Sequence, residues 1–263
     1  MSAFEIIGGR ALNGVITPQG AKNEALQVLC ASLLTDKPVT YTNVPDILDV
    51  NTLIGLMADM GVKVERPAPN TVVLQADEVN PDFFIDKNFK KKSGKLRGAV
   101  MIAGPMLARF GRAHIPQPGG DKIGRRRLDT HIRGFESLGA KFQYDPEESL
   151  FMLDGGNMKG ANILMEEPSV TGTANIAMAA CMAPGITTIY NAACEPYVQQ
   201  LCKMLNNMGA RISGIGSNLL VIEGVEELRG CTHRLLADMI EVGSFIGLAA
   251  ATRSDITIKN ADV

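Results

Sequence analysis

The chain has 263 residues, with 28 acidic residues against 26 Lys and Arg, so its formal charge is −2 (26 − 28). Hydrophobic residues make up 46% and charged residues 21%, which excludes disordered, coiled-coil and collagen-like proteins. The near-neutral charge and an aromatic content of 5% argue against nucleic-acid binding, which favours a basic excess and stacking rings. The length allows one large domain or two modest ones.

Cysteine usage and the lack of targeting signals indicate a cytoplasmic protein. The five cysteines form no C-x-x-C pair, which predicts reduced thiols rather than disulfides or a zinc site. The N-terminus has no basic segment followed by an apolar one, so no secretory signal is expected. The uncharged stretch 169–194 is interrupted by Pro184-Gly185 and is too polar for a membrane span, so it is interpreted as a buried helix, a turn and a buried strand.

Alternating helix and strand patterns fill the first part of the chain. Apolar residues recur at helical spacing, β-branched runs follow them, and Gly or Pro residues separate the segments. The predicted elements are a helix from Lys22, a strand over 39–43, a helix from Ile47 to Gly61, and strands over 62–66 and 71–74 joined by the turn 67–70. This unit has the order helix, strand, helix, strand, strand.

The same phrases recur later in the chain. Asn43 and Gly61 are matched by Asn191 and Gly209 at an identical spacing of 148 (191 − 43 and 209 − 61). Gly139 supplies a middle copy of the glycine phrase, 78 residues after the first (139 − 61) and 70 before the last (209 − 139). The repeat predicts three similar units.

A fourth copy begins near the end of the sequence. Asn260 follows Asn191 by 69 residues (260 − 191) in a matching phrase. The strand predicted over 256–259 lacks neighbours and about half of its hydrophobic layer unless something else completes the unit. The sequence therefore predicts a fragment of a longer protein.

Two segments could bind anions. In Gly20-Ala21-Lys22-Asn23 a loop enters a helix, so free backbone N–H groups and a lysine converge, although a capped helix with a solvated lysine is the alternative. In 116–129, glycines surround Asp121 and three arginines follow, which is typical of a mobile loop leading to a phosphate-binding helix start. A solvated surface loop remains an equal alternative for this second segment.

Other polar segments indicate structure rather than chemistry. Arg97 precedes an apolar helix, and the lysine run 90–92 is interpreted as a solvated face. The segment 167–175 is rich in residues that cap helix starts, and capping alone explains it. The three histidines show no ligand spacing, so no metal site is predicted.

Together these phrases resemble the UDP-N-acetylglucosamine 1-carboxyvinyltransferases, a family of enolpyruvyl transferases, over essentially the whole chain. The phrases that carry the resemblance are Gly20-Ala21-Lys22-Asn23, Asn43-Val44-Pro45, Leu107-Ala108-Arg109-Phe110-Gly111, Pro118-Gly119-Gly120, Ile123-Gly124-Arg125-Arg126, Asp129-Thr130-His131, Pro168-Ser169-Val170, Asn191-Ala192-Ala193, Glu195-Pro196 and Asp238-Met239-Ile240-Glu241.

The resemblance implies an inside-out α/β barrel of repeated units, arranged as two three-unit lobes with the substrate cleft between them. Residues 22–236 would form one complete lobe on the nucleotide-sugar side, with a mobile loop near 116–127. Residues 1–21 and 237–263 would belong to a second lobe whose remainder is missing. Six units of roughly 70 residues would make about 420 in all.

The implied reaction transfers the enolpyruvyl group of phosphoenolpyruvate to the 3-hydroxyl of UDP-N-acetylglucosamine and releases phosphate, the first committed step of peptidoglycan synthesis. These two small molecules would be the only partners, without a cofactor, metal, nucleic acid or membrane. The enol ether becomes electrophilic only after its methylene carbon is protonated, so the site needs a general acid and a cationic cradle.

The resemblance also implies roles for individual residues. Lys22 and Asn23 would contact phosphoenolpyruvate and the sugar, with Lys22 also catalytic, while Arg97 and Arg126 would contact the anionic groups. The nucleotide sugar would be lined by Arg126, Arg127, Leu128, Asp129, Thr130, Ser169, Val170 and Thr171. Two departures from the family pattern, Glu167 where some relatives have lysine and Thr171 where glycine is usual, affect the nucleotide contacts.

Asp121 falls where most of the family has the loop cysteine that donates the proton. A free thiol has a pKa of about 8.5 and is protonated at neutral pH, whereas a free Asp at about 3.9 is not. Desolvation or substrate charge would have to raise the pKa of Asp121 against the pull of Lys122 and the arginines. We expect Asp121 to be a working acid and fosfomycin, which alkylates the usual thiol, not to inactivate the enzyme.

Two alternatives remain open from the sequence. The sister shikimate 3-phosphate enolpyruvyl transferases share the fold and chemistry, but they lack the Pro-Gly-Gly loop and have a different lysine phrase. A non-catalytic relative that binds a UDP-sugar is favoured only if the natural chain ends at Val263. The fragment alone is expected to be inactive, because further catalytic residues of the family lie on the second lobe.

Overall fold

The computed structural model describes residues 3–81, 83, 87–116, 128–147 and 149–261. Its helices and strands, in chain order, are β1 (Asn13–Ile16), α1 (Lys22–Ala31), β2 (Val39–Thr42), α2 (Leu48–Asp59), β3 (Lys63–Ala68), β4 (Thr71–Gln75), α3 (Lys87–Ser93), α4 (Ala103–Phe110), β5 (Arg112–Pro116), α5 (Asp129–Ser137), β6 (Lys141–Asp145), β7 (Leu150–Asp154), β8 (Asn162–Leu164), α6 (Val170–Ala180), β9 (Ile186–Tyr190), α7 (Pro196–Asn207), β10 (Arg211–Ser213), β11 (Leu219–Glu223), β12 (Thr232–Arg234), α8 (Met239–Thr252) and β13 (Asp255–Ile258). Short 3-10 helices span Ser32–Leu34 and Arg97–Ile102. The chain is therefore α/β.

The repeat predicted from the sequence is confirmed. The order helix, strand, helix, strand, strand occurs three times, beginning at α1, α4 and α6. Asn43 and Asn191 both have φ of 58°, and Gly61, Gly139 and Gly209 have φ of 102°, 101° and 110°. Because Asn and Gly tolerate positive φ better than other residues, these positions mark the same turns in each unit.

Each unit carries its own small sheet. The three strand orders are β12-β2-β4-β3, β5-β7-β6 and β8-β9-β11-β10. The hairpin strands pair antiparallel, whereas the short strands β12 and β8 join β2 and β9 in parallel. These three-residue strands are too short to be predicted from alternation of apolar and polar residues.

The structure supplies a neighbour for the last predicted strand and corrects the bounds of another. The last strand, β13, has a neighbour, because β1 pairs with it in parallel along its whole length. The four residues Asn13–Ile16 gave no strand signal. The turn predicted at 67–70 is shorter, because β3 continues to Ala68 across an irregularity that accommodates Pro67. Asn70, with φ of 55°, makes the reversal.

The helix predicted after Arg97 forms in two parts. Residues 97–102 are a 3-10 helix, and α4 continues it directly. Pro105, which lacks an N–H, lies just after this junction, where the backbone hydrogen bonding changes from the 3-10 to the α pattern. Together with α1 and α6, this composite helix (Arg97–Phe110) makes up the central helices.

The central helices form the core and run parallel. At one end, a Cβ on Gly98 would lie 3.0 Å from Leu26 in the first turns of α1. At the other end, Arg109 Nη1 donates to the carbonyl oxygens of Leu33 and Thr35, 3.2 and 2.9 Å away, after the end of α1. All residues from 172 to 180 in α6 are buried. The helix, turn and strand predicted within 169–194 are thus confirmed, but the prediction that the strand is buried is wrong, because β9 alternates between the core and solvent and exposes Ile186 and Tyr190.

The last helix differs from the central helices. No residue of α8 is buried, although the helix is mostly apolar, and Ile240 and Ile246 are exposed. Among the residues that the structure describes, no helix combines the length and the apolar character needed to cross a membrane.

The central helices approach so closely that one position between them has no room for a side chain. A Cβ on Gly104 would lie 2.3 Å from the Asn175 carbonyl oxygen. We predict that Gly104→Ala lowers the free energy of unfolding by about 3 kcal/mol, because backbone must move. Urea denaturation of the 263-residue chain measures this change.

The matched control is Gly247→Ala on the exposed helix α8. A Cβ on Gly247 has nothing within 4 Å, so this variant should be as stable as the original chain or more stable by up to about 1 kcal/mol. Equal stability of the two alanine variants would contradict the close contact of α4 with α6.

Candidate active site

The helix starts that carry the predicted site residues lie at one end of the molecule. Lys22 begins α1, and Arg97 begins the 3-10 helix one residue before Gly98, which packs on Leu26. A Cβ on Gly172, in the first turn of α6, would lie 3.0 Å from a Thr130 methyl group in α5. First-turn N–H groups have no partner within their helix and carry partial positive charge, so this end of the molecule favours anions.

Lys22 is held at the start of α1 by two carboxylates. Its Nζ lies 2.5 Å from Asp49 Oδ2, and its backbone N–H donates to Asp238 Oδ2 over 3.2 Å. The Lys22 side chain remains about half exposed, and Asn23 beside it is exposed. Gly20 is required here, because a Cβ would lie 1.7 Å from the Asn43 carbonyl oxygen. The predicted lysine phrase therefore forms an accessible cationic helix start.

Next to Lys22, the segments 19–22 and 236–238 run antiparallel to each other. The Ala21 N–H donates to the Leu236 carbonyl, and the Asp238 N–H donates to the Gln19 carbonyl, each over 2.8 Å. Asp238 also caps α8, where its Oδ1 accepts the N–H groups of the helix's second and third residues. The starts of α1 and α8 are thereby tied to the same carboxylate.

A buried acid–histidine pair holds the segment before residue 236 against α1. Glu24 is completely buried, and its Oε1 lies 2.8 Å from His233 Nε2. Its Oε2 accepts the Leu236 N–H over 3.0 Å. A carboxylate buried this deeply is stable only with such partners.

The starts of α5 and α6 form the second part of the site. Leu128, Asp129, Ser169 and Val170 are half-buried, and Thr171 is exposed. Ser169 caps α6 by accepting the Gly172 N–H over 3.2 Å, as predicted.

The Thr130 hydroxyl donates to Glu167 Oε1 over 3.3 Å. Glu167, the departure noted in the sequence, thus adds a negative charge to the rim of this part of the site.

Behind these residues lies a buried histidine. His131 Nε2 is 3.1 Å from Thr171 Oγ1, and Nδ1 is 3.1 Å from Asn175 Nδ2. Burial, together with the positive charge of Arg97, lowers the pKa of His131 to about 4. The imidazole is therefore neutral at physiological pH.

Three predicted site residues, Asp121, Arg126 and Arg127, lie outside the described residues. Their roles remain predictions. The predicted residues that the structure does describe fall into two groups at the same end of the molecule, one around Lys22 and one around Thr171, with Arg97 electrostatically coupled to the second.

Sequence reasoning missed the partners of these residues. Asp49, Glu24 and Asn175 sit in ordinary helix patterns, and no local signal reveals that they meet Lys22, His233 and His131. Only Asp238 had a signal, since Asp at a helix start with Glu three residues later resembles a capping box. Here Glu241 instead accepts the Gln19 N–H over 2.7 Å.

Two open cavities lie in different parts of the described structure. One, of about 450 Å³, adjoins the site between α5 and β8, with Thr130, Arg133 and Glu166 in its lining. The other, of about 720 Å³, lies where the central helices end, with Leu34, Arg109 and Met182 among its lining residues. None of the predicted site residues that the structure describes lines it.

Within the described ranges, no group of three or more His, Cys, Asp or Glu side chains is placed to hold a metal ion. Helix starts, Lys22 and Arg97 can bind and orient anionic oxygens.

Comparison with known proteins decides the family. The family model of EPSP synthase (3-phosphoshikimate 1-carboxyvinyltransferase) matches residues 6–263. The chain belongs to the EPSP synthase family.

Within the EPSP synthase family, the resemblance to UDP-N-acetylglucosamine 1-carboxyvinyltransferases is confirmed. The protein of that name from Bacteroides fragilis is 61% identical over 260 residues, which cover 99% of this chain and 60% of the relative. The one from Porphyromonas gingivalis is 58% identical over 263 residues, or 100% of this chain and 61% of the relative. The chain thus spans about three-fifths of the length of these relatives.

Two solved structures share the fold of this chain. The enolpyruvyl transferase NikO from Streptomyces tendae aligns with a TM-score of 0.77 at 19% identity, covering 91% of this chain and 55% of that protein. EPSP synthase from Acinetobacter baumannii aligns with a TM-score of 0.72 at 19% identity, covering 96% of this chain and 56% of that protein.

The environment of His131 predicts a pH dependence of stability. The folded chain holds the pKa of His131 at about 4, and the unfolded chain at about 6.5, so the unfolded state takes up a proton first as the pH falls. This residue therefore contributes stability above pH 6.5 that is lost between about pH 6.5 and pH 4, by about 3 kcal/mol.

Ring NMR signals of His131, followed from pH 7 to pH 4, test this expectation directly. They should show no titration above about pH 5. Urea unfolding should give a lower free energy of unfolding at pH 4.5 than at pH 7, and a His131→Gln variant should lack this part of the decrease. A His131 titration centred near pH 6.5 would contradict the buried environment.

Proposed function

We propose that the protein to which this chain belongs transfers the enolpyruvyl group of phosphoenolpyruvate to the 3-hydroxyl of UDP-N-acetylglucosamine and releases phosphate. This reaction would supply peptidoglycan synthesis in the cytoplasm. The observation that carries the proposal is the 61% identity, over nearly the whole chain, to a relative named UDP-N-acetylglucosamine 1-carboxyvinyltransferase.

Lys22, Asn23 and Arg97 are proposed to bind the anionic groups of phosphoenolpyruvate and to orient it toward the sugar. The accessible Lys22 ammonium at the start of α1 supports this role. Its ion pair with Asp49 would be replaced when a phosphate or carboxylate of the substrate competes for the ammonium group. Lys22 would also stabilise charge that develops as phosphate leaves.

The nucleotide sugar is proposed to contact the starts of α5 and α6. Leu128, Asp129 and Thr130 would contribute from α5 together with Arg126 and Arg127. Ser169, Val170 and Thr171 would contribute from α6. The proximity of Gly172 to Thr130 supports one continuous surface.

Asp121 is proposed to act as the general acid that protonates the methylene carbon of phosphoenolpyruvate. Protonation turns the methylene into a methyl group and makes C2 electrophilic, and the sugar 3-hydroxyl adds there with loss of its proton. Loss of phosphate together with one proton of that methyl group then restores the double bond and completes the transfer. Because a carboxyl is not alkylated as a thiolate is, fosfomycin should not inactivate the enzyme.

The proposed architecture is an inside-out α/β barrel with two lobes. Residues 22–236 would form one lobe, and residues 1–21 and 237–263 would belong to the second, which provides the other face of the cleft. The parallel pairing of β1 with β13, separate from the other sheets, supports this division.

The shikimate 3-phosphate transferases are the second candidate, favoured by the description of the matching family model. Their acceptor carries a phosphate and no nucleotide. The two functions are therefore distinguished by the acceptor that supports turnover.

The decisive experiment uses a chimera, in which this chain is followed by the part of the Bacteroides fragilis relative that the alignment leaves uncovered. We predict phosphate release from phosphoenolpyruvate with UDP-N-acetylglucosamine and none with shikimate 3-phosphate. Lys22→Ala should lower kcat/KM by at least about a hundredfold, since it removes a charge-assisted contact in the transition state.

Thr52→Val, at a half-buried position of α2 where the hydroxyl donates to the Leu48 carbonyl, serves as the control variant and should leave turnover unchanged. The chimera should keep its activity with fosfomycin and become sensitive as Asp121→Cys. Turnover with shikimate 3-phosphate alone would contradict the proposed acceptor, and a fosfomycin-resistant Asp121→Cys chimera would contradict the role of Asp121.

A further inference from the structure

A buried hydrogen-bond chain leads from the composite central helix to the exposed start of α6. It begins at Asn175, which is fully buried in α6. The Gly104 N–H donates to Asn175 Oδ1 over 2.7 Å, and Asn175 Nδ2 donates to the Val100 carbonyl over 2.8 Å. Because an N–H needs an acceptor and a carbonyl needs a donor, these two contacts allow only one orientation of the amide.

The fixed amide determines the tautomer of His131. Asn175 Nδ2 offers only hydrogens, so the His131 Nδ1 that lies 3.1 Å away must be an unprotonated acceptor. The buried imidazole is neutral and therefore carries its single proton on Nε2. This Nε2–H donates to Thr171 Oγ1 over 3.1 Å.

The Thr171 hydroxyl is consequently an acceptor toward His131, and its own proton is available to another group. A threonine inside a helix usually donates its hydroxyl proton to the carbonyl four residues earlier. Thr171 is the second residue of α6, so that carbonyl does not belong to the helix. The side chain is exposed at the predicted site. The hydroxyl is thus set to donate toward a ligand.

The surroundings indicate an acceptor with negative charge. Ser169 accepts the Gly172 N–H with its hydroxyl and the Thr173 N–H with its carbonyl. The two earlier N–H groups in the first turn of α6 take no part in these contacts. Arg97 adds a positive charge that is felt at His131, while Glu167 on the same rim opposes an anion. A neutral hydroxyl donor adds attraction there without a further charge.

We propose that Asn175 and His131 are positioning residues that hold the Thr171 hydroxyl as a hydrogen-bond donor to a negatively charged oxygen of the nucleotide-sugar substrate. The identity of that substrate rests on the proposed function. Thr171 becomes a specificity-determining contact at a position where the sequence departs from the family's usual glycine.

The first test needs no ligand. Nitrogen-15 NMR of the 263-residue chain at pH 7 should show His131 as the Nε2–H tautomer with an unprotonated Nδ1. An Nδ1–H tautomer, or a charged ring, would overturn the hydrogen-bond chain whatever the enzyme's substrate is.

The second test measures binding of UDP and of uridine to the same chain by calorimetry. Thr171→Val removes the hydroxyl and keeps the branched shape, so UDP should bind about tenfold more weakly, while uridine binding should change by less than about twofold. Thr171→Ser retains the hydroxyl and should bind UDP like the original chain. An unchanged UDP affinity for Thr171→Val, or an equal loss for uridine, would overturn the proposed donor contact.

A double-mutant cycle tests the positioning role. In a His131→Ala background the hydroxyl is no longer oriented, so Thr171→Val should weaken UDP binding by less than about threefold. A full tenfold loss in that background would show that His131 does not orient Thr171. If His131→Ala fails to fold, the tautomer measurement still decides the point. Absence of UDP binding by the original chain would overturn the contact proposed for Thr171, whereas the proposed function is decided separately by turnover of the chimera and the tautomer by NMR.

Discussion

The parallel packing of three buried helices is the constraint on which the rest of this structure depends. Parallel helices bring their positive ends together, and this arrangement is unfavourable unless the helices bury apolar surface well and an anion or carboxylate meets those ends. Small residues make the packing possible, since Gly98 and Gly104 admit Leu26 and Asn175 at contact distance. The sheets then cover the bundle, and the helix starts remain at one end.

The candidate site follows from that arrangement. The net charge of the chain is close to zero, but its positive groups are unevenly distributed. Lys22, Arg97 and the helix starts place positive charge at one end of the molecule. Carboxylates compensate this charge in the free protein: Asp49 pairs with Lys22, and Asp238 accepts its backbone N–H. A substrate with phosphate and carboxylate groups can replace such contacts, which is how an anion site remains stable when empty.

The sequence predicted the repeat and most elements because each unit buries an amphipathic pattern that is visible locally. Asn43 and Gly61, with their counterparts, mark turns that need positive φ, so they could be recognised as anchors. The short strands β1, β8 and β12 could not be predicted, because their partners are distant in sequence. The roles of Glu24 and His131 could not be predicted for the same reason, because they depend on which helices and strands contact each other. The resemblance supplied the site residues, and of these Asp121, Arg126 and Arg127 stay predictions.

The most direct test of the account is to locate where the nucleotide sugar binds. Titration of UDP-N-acetylglucosamine into the nitrogen-15-labelled chain, followed by backbone amide shifts, reports both ends of the central helices in one measurement. The account predicts changes concentrated at Lys22, Arg97, Thr130 and Thr171. Changes concentrated instead around Arg109, at the opposite end of the helices, would contradict it.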